Sequence, residues 1–346
     1  MIDTFKEEDP ARPVCLVVGG GWQKNDDAGL TSMADVVAYN GGALNFVETF
    51  VGPKTGQTYT FRPDYYREIH PRRVHLMSEG VLNDICYARG DWAQEERAWR
   101  NNARYWDAFG ERPWFCGGSM WCFTDYSANG DIRLHGAVDR YRLPKDLFHF
   151  YRAMWSDRPV LHLLGHWNHD RGTDREVVVF TNCSDVVLVL NGRSLGPGTS
   201  CGDEYPHIPH PPLVWKNIRF EPGELKVTGR AGAEALADTR VTAGEPVGLR
   251  LGAVTGELVA DGRDICYIDV TLCDAEGNRC YTANGRVRVA VSGAARLGGP
   301  EAVEIRGGMG RFAVRSNAET GGCTVDATGE GLEGARLEIP VEQEGA

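Results

Sequence analysis

The feature that most constrains this chain is a change of texture near residue 158. Before it, short apolar runs alternate with long amphipathic stretches; after it, the chain is a succession of short β-type runs broken by turn residues. The first pattern predicts parallel strands joined by helices, and the second predicts antiparallel sandwiches. In the first part the strand candidates are residues 13–18 (PVCLVV), 34–40 (ADVVAYN), 74–79 (VHLMSE) and 114–123 (WFCGGSMWCF). Helix candidates are residues 91–109, with Trp92, Trp99, Ala103 and Trp106 near helical spacing, and residues 144–155, opened by Pro144 and rich in aromatics. Beyond 158, the runs EVVVFTN, DVVLVLNGRSLG and LVWKNIRFEPGELKVTG predict one sandwich. Asn191-Gly192 between VVLVL and Arg193 is a hairpin signal, because a two-residue reversal needs positive φ at both positions. A second sandwich, immunoglobulin-like in its strand spacing, follows TAGEP at 242–246. The expected domains are residues 1–157, 158–240 and 241–346.

A chain of 346 residues has length for two or three such cores. Its net charge of −11 argues against nucleic acid or an anionic membrane as partner, since either calls for a basic face. No apolar run is long enough to span a bilayer, and the opening MIDTFKEEDPARPV has neither the basic nor the apolar region of an export signal, so the chain as written reads as cytoplasmic. Ten cysteines at irregular spacing, with no Cys-x-x-Cys pair and several inside apolar runs, read as buried thiols. His162, His166 and His169 invite a metal reading. It is rejected on the expectation that a pleated strand sends 169 to the face opposite 162 and 166; neither a metal nor a cofactor is expected.

In a sheet of parallel strands, polar residues just past the apolar runs face the functional edge. Three places qualify: Tyr39-Asn40, Ser78-Glu79, and Trp121 with Asp125-Tyr126. A glutamate in that position is ordinarily a solvated strand end, a tryptophan in a Gly-rich strand ordinarily core, and a tyrosine there can cap a strand.

The ordered series DPARPV, DVVAYN, HPRRVHLMSEG, RPWFCGGSMWCFTDY and GAVDRYRLPKDLFHFYRAMWSDRPVLHLLGHWNHD resembles glycoside hydrolase family 2, in its β-galactosidase-like members. The resemblance implies a partial (β/α)8 barrel, about strands 5–8, followed by two immunoglobulin-like sandwiches. It implies a retaining β-glycosidase in which Glu79 is the nucleophile. It further implies that Tyr39 hydrogen-bonds the Glu79 carboxylate, that Trp121 is the platform under the sugar and is often followed by a cis peptide, and that Asn40, Arg89 and Asp125 line the site. The implied partner is a terminal β-linked sugar. The family's acid/base lies in an Asn-Glu pair, a dipeptide that does not occur here; Glu48 is the nearest substitute, on the wrong strand for it. Two explanations stay open: a truncated product, or a chain completed by an N-terminal half on a second polypeptide; a homo-oligomer stays open as a separate partner. A different function class, a non-catalytic carbohydrate-binding or structural module built on the sandwiches, stays open as well.

Overall fold

The computed structural model describes residues 2–18, 29–40, 50–80 and 86–343; Glu48 lies outside them. The chain divides into two compact units that do not follow chain order. One comprises 1–87, 97–137 and 202–209, and the other 88–96, 138–201 and 210–346.

The first unit is built on a four-stranded sheet: β1 (Cys15–Val18), β2 (Val36–Asn40), β3 (Val74–Gly80) and β4 (Phe115–Met120), in chain order across the sheet. Every neighbouring pair is parallel. Parallel neighbours need a crossover, and α1 (Arg62–Ile69) and α2 (Trp92–Gly110) supply helices between the strands. Trp99 and Ala103 on α2 are buried. On one sheet face Tyr39 packs against Tyr66 and Phe115, with ring centroids 5.7 and 6.1 Å away, and Phe109 stacks on Phe115 at 4.7 Å. The other face carries apolar side chains as well, but Val17 and Val74 there are 48% and 41% exposed.

In the second unit, one sandwich pairs a sheet of residues 199–200, 213–219, 174–181 and 161–163 with a sheet of 193–197, 184–190, 224–231 and 234–241. Its core holds Leu163, Trp167, Val179, Leu188, Trp215 and Val227. The expected hairpin is present: Leu190 pairs with Arg193, and Asn191 and Gly192 have φ of 50° and 78°. The other sandwich has a four-stranded sheet through Ile265–Cys273 and Met309–Ser316 and a five-stranded sheet through Gly285–Gly293, Gly321–Thr328 and Ala335–Glu342. Ile268, Val270, Val314, Cys323 and Val325 close its core. The mostly-β architecture with few helices is the one expected for the larger part of the chain. No helix among the described residues is long and apolar enough to cross a membrane.

Two expectations need correction. Of the cysteines, only Cys266, Cys273, Cys280 and Cys323 are buried, whereas Cys15, Cys86 and Cys116 are exposed. Apolar neighbours in sequence did not guarantee burial, because Cys15 and Cys116 sit on the outer strands β1 and β4. The histidines also depart from strand alternation. Only Leu161–Leu163 is strand, Gly165 turns the chain at φ 76°, and the His166 and His169 rings then lie 4.7 Å apart.

His162 instead joins a buried polar knot with α3 (Asp146–Trp155). Its Nε2 lies 2.7 Å from Asp146 Oδ1, whose other oxygen accepts from the Gly165 N–H, and the His149 ring stacks on His162 at 3.7 Å. Arg240 closes the knot by donating to the Gly165 and Leu163 carbonyls and to Asp238. Burial, then the neighbouring His162, lowers the His149 pKa from 6.5 to about 2. Below pH 6.5 the unfolded chain therefore takes up a proton that the folded chain refuses. The stability due to neutral His149 is complete above that pH and declines on acidification. Replacing His149 by Phe keeps the stacked ring and removes the proton. Between pH 6 and 4 the variant is expected to lose about 1.4 kcal/mol per pH unit less stability than the parent, measured by urea unfolding at stepped pH; equal slopes would contradict a buried neutral imidazole.

Candidate active site

Parallel strands finish on one edge, so β2, β3 and β4 bring Asn40, Glu79 and Trp121 to neighbouring positions. The decisive detail is a register shift between β2 and β3. Tyr39 pairs with Met77, but the next residue, Asn40, pairs with Glu79, leaving Ser78 as an extra residue on β3. In an unbroken ladder Asn40 would oppose Ser78, and Glu79 would point to the face opposite Asn40. The extra residue resets the alternation, as bulges near functional sites do, and the Asn40 amide Nδ2 donates to Glu79 Oε2. Ser78 fixes the irregularity by donating its hydroxyl to the Tyr39 carbonyl at 2.9 Å. Glu79 stays partly accessible.

Next along the edge, Met120 pairs with Gly80, and the Trp121 N–H donates to the Gly80 carbonyl at 3.2 Å. The Trp121–Cys122 peptide is cis, at the place the resemblance implied. The Trp121 side chain is 38% exposed. Its indole N–H donates to the Tyr126 hydroxyl at 3.0 Å, and the two rings meet edge to face at 5.7 Å. Tyr126 was visible in the sequence only as a polar residue near a strand end; its hold on Trp121 depends on the hairpin of residues 126–128 and 131–133, which local sequence does not specify.

The remaining expected residues are placed differently from one another. Tyr39 is fully buried on the helix-covered face, one residue short of the reset. Its hydroxyl is 2.6 Å from His75 Nδ1, so the hydrogen bond to Glu79 expected from Tyr39 comes from Asn40. His75 Nε2 faces the His70 carbonyl at 3.4 Å, which can only accept, so the proton belongs on Nε2 and Nδ1 accepts from Tyr39. Burial lowers the His75 pKa to about 4 and, with the charges of Tyr66 and Asp64, raises that of Tyr39, so both groups are neutral at pH 7. Asp125 is buried and accepts from the Gly136 N–H at 2.8 Å. Arg89 belongs to the second unit. There its Nε bonds Asp139 at 3.0 Å, while Nη1 and Nη2 donate to the Arg306 and Met309 carbonyls at 2.8 and 2.5 Å.

Tyr39→Phe therefore tests a structural contact. It leaves His75 Nδ1 buried without a donor and is expected to cost about 1–3 kcal/mol in urea unfolding. An unchanged midpoint would show that the contact contributes nothing net.

Residues 249–338 match glycoside hydrolase family 2 C-terminal domain 5, and residues 172–237 match a domain of unknown function, DUF4982. A β-glucuronidase of Formosa agariphila is 33% identical over 293 residues, which are 78% of this chain and 29% of that protein. The β-galactosidase BoGH2A of Bacteroides ovatus is 32% identical over 64% of this chain and 27% of its own length. Among solved structures, a β-glycosidase from Bacteroides vulgatus has the same fold over 98% of this chain and 48% of its own, with a TM-score of 0.74 at 21% identity. The chain thus spans less than a third of the length of these two curated relatives. By sequence and by fold, it corresponds to the C-terminal portion of a glycoside hydrolase family 2 protein.

Proposed function

We propose that the chain supplies the nucleophile half of a retaining β-glycosidase active site, with Glu79 as the nucleophile. The observation that carries this reading is the hydrogen bond from Asn40 to the Glu79 carboxylate at the adjoining ends of two parallel strands. A carboxylate held through one oxygen keeps its second oxygen available to attack an anomeric carbon, with displacement of the leaving group and formation of a glycosyl-enzyme ester. Water then attacks the same carbon from the face opposite the ester, where the leaving group stood, and releases the Glu79 carboxylate, so that two inversions give net retention. Trp121 is assigned as the platform beneath the sugar ring, its indole steered by Tyr126. Asp125 is assigned a supporting role in the loop after the platform, given its burial and its bond to the Gly136 N–H. The contacts of Arg89 with Asp139 and two carbonyls favour a bracing role over direct sugar contact.

We further propose that the parallel sheet is strands 5–8 of a (β/α)8 barrel. In support, its strands run in chain order, its helices cover one face, and apolar residues Val17 and Val74 face outward on the other. A retaining mechanism requires a second carboxyl group as acid/base, about 5–5.5 Å from the first. We assign it to the portion of such proteins outside the aligned segment. The substrate is a terminal β-linked glycoside, with β-glucuronides and β-galactosides the first to test because the relatives bear those names.

The test joins this chain to the complementary N-terminal portion and follows release of nitrophenol from nitrophenyl β-glucuronide and β-galactoside. Glu79→Gln is expected to lower kcat by about 10⁴-fold or more. Asn40→Ala, which removes one hydrogen bond to a charged group worth about 1.5–3 kcal/mol, is expected to lower kcat/KM by roughly 10- to 100-fold. Activity that survives Glu79→Gln would overturn the assignment.

A further inference from the structure

The second unit holds a pocket of about 420 Å³ lined by Asn168, His169, Asp170, Thr173, Arg175 and Thr282. Its size falls in the range of small-molecule sites, roughly 300–1,000 Å³, but its lining is polar where such sites are mostly apolar. The composition of that lining identifies what it suits. Arg175 donates from Nη2 to Glu96 at 2.6 Å, which anchors its guanidinium at the pocket. Thr173 points its hydroxyl proton at the Asp170 carbonyl, 2.8 Å away, which leaves the oxygen lone pairs to accept. Asp170 is exposed and its carboxylate is a pure acceptor. The His169 ring is fixed by His166 at 4.7 Å and by the edges of Trp167 and Phe220 at 5.7 and 5.6 Å. Burial, then the charge of Arg175, lowers its pKa to about 4, so the ring is neutral at pH 7.

An anion in this pocket would face the Asp170 carboxylate, and a cation would face the Arg175 guanidinium. A hydroxyl-rich neutral molecule satisfies both, because each hydroxyl donates and accepts. We propose that this pocket is an accessory binding site for a neutral sugar, holding one or two pyranose units. It uses none of Asn40, Glu79 or Trp121, and its existence does not depend on the chain being catalytic.

The experiment is nuclear magnetic resonance on the full chain with isotope-labelled histidine, the His169 signals being assigned by His169→Gln. Methyl β-galactoside and methyl β-glucuronide are titrated as neutral and charged probes. The expected result is a saturable shift of the His169 signals with methyl β-galactoside, at a Kd of about 1 mM. Arg175→Gln and the exposed-site variant Thr282→Val should each weaken it at least about tenfold, the loss of one good polar contact. Glu79→Gln should leave the His169 response unaltered, so failure of the nucleophile assignment and failure of this one give different results. No His169 shift with either glycoside up to about ten times that concentration would overturn the proposal. So would a response confined to the charged glycoside, or one that both pocket variants leave unchanged.

Discussion

The candidate site depends on one departure from regular pairing. Strand alternation fixes which side of a sheet every residue occupies, and only an added residue can move a downstream side chain across. Ser78 is that residue: Tyr39 and Met77 pair before it, Asn40 and Glu79 after it. Its hydroxyl bonds the Tyr39 carbonyl, so the shift is held by a side chain as well as by the ladder. Without the shift, the Asn40 amide and the Glu79 carboxylate would sit on opposite faces of the sheet, and the hydrogen bond between them could not form.

This explains why the strands were legible in the sequence while the contacts between them were only partly so. Runs such as ADVVA and VHLM announce themselves through burial, and their observed limits, 36–40 and 74–80, fall within two residues of the expected ones. Helices at 92–110 and 146–155 were equally visible from their spacing and their aromatic content. Strand pairing is another matter. Tyr39 and Asn40 are consecutive and both polar-tipped, so composition cannot say which one turns toward Glu79. The deciding fact, that Tyr39 shares a face with His75 and Phe115, comes from register. Arg89 was obscure for a similar reason: its partners Asp139, Arg306 and Met309 lie 50 to 220 residues further along the chain.

The misreading of the histidines has the same root in the opposite direction. Strand alternation was extended beyond the strand, whereas the segment leaves the sheet after Leu163 and turns at Gly165. What the turn creates is a division of labour among similar residues. His162 goes to Asp146 and becomes part of a buried network whose members share their hydrogen bonds, while His166 and His169 face each other. A buried arginine such as Arg240 is tolerated there because two carbonyls and Asp238 surround it.

The parallel sheet shows how incomplete burial can be informative. Its helix-covered face is packed with fully buried aromatic rings, yet Val17 and Val74 on the other face are exposed, although nothing in their chemistry favours water. A barrel turns such a face inward and pairs the outer strands, which removes both the exposed apolar area and the unpaired backbone groups. The same closure would bring further strand ends to the edge that carries Asn40, Glu79 and Trp121, which is where the proposed retaining mechanism would need its second carboxyl group. One physical requirement, covering the open face, would therefore also supply what the role proposed for Glu79 calls for.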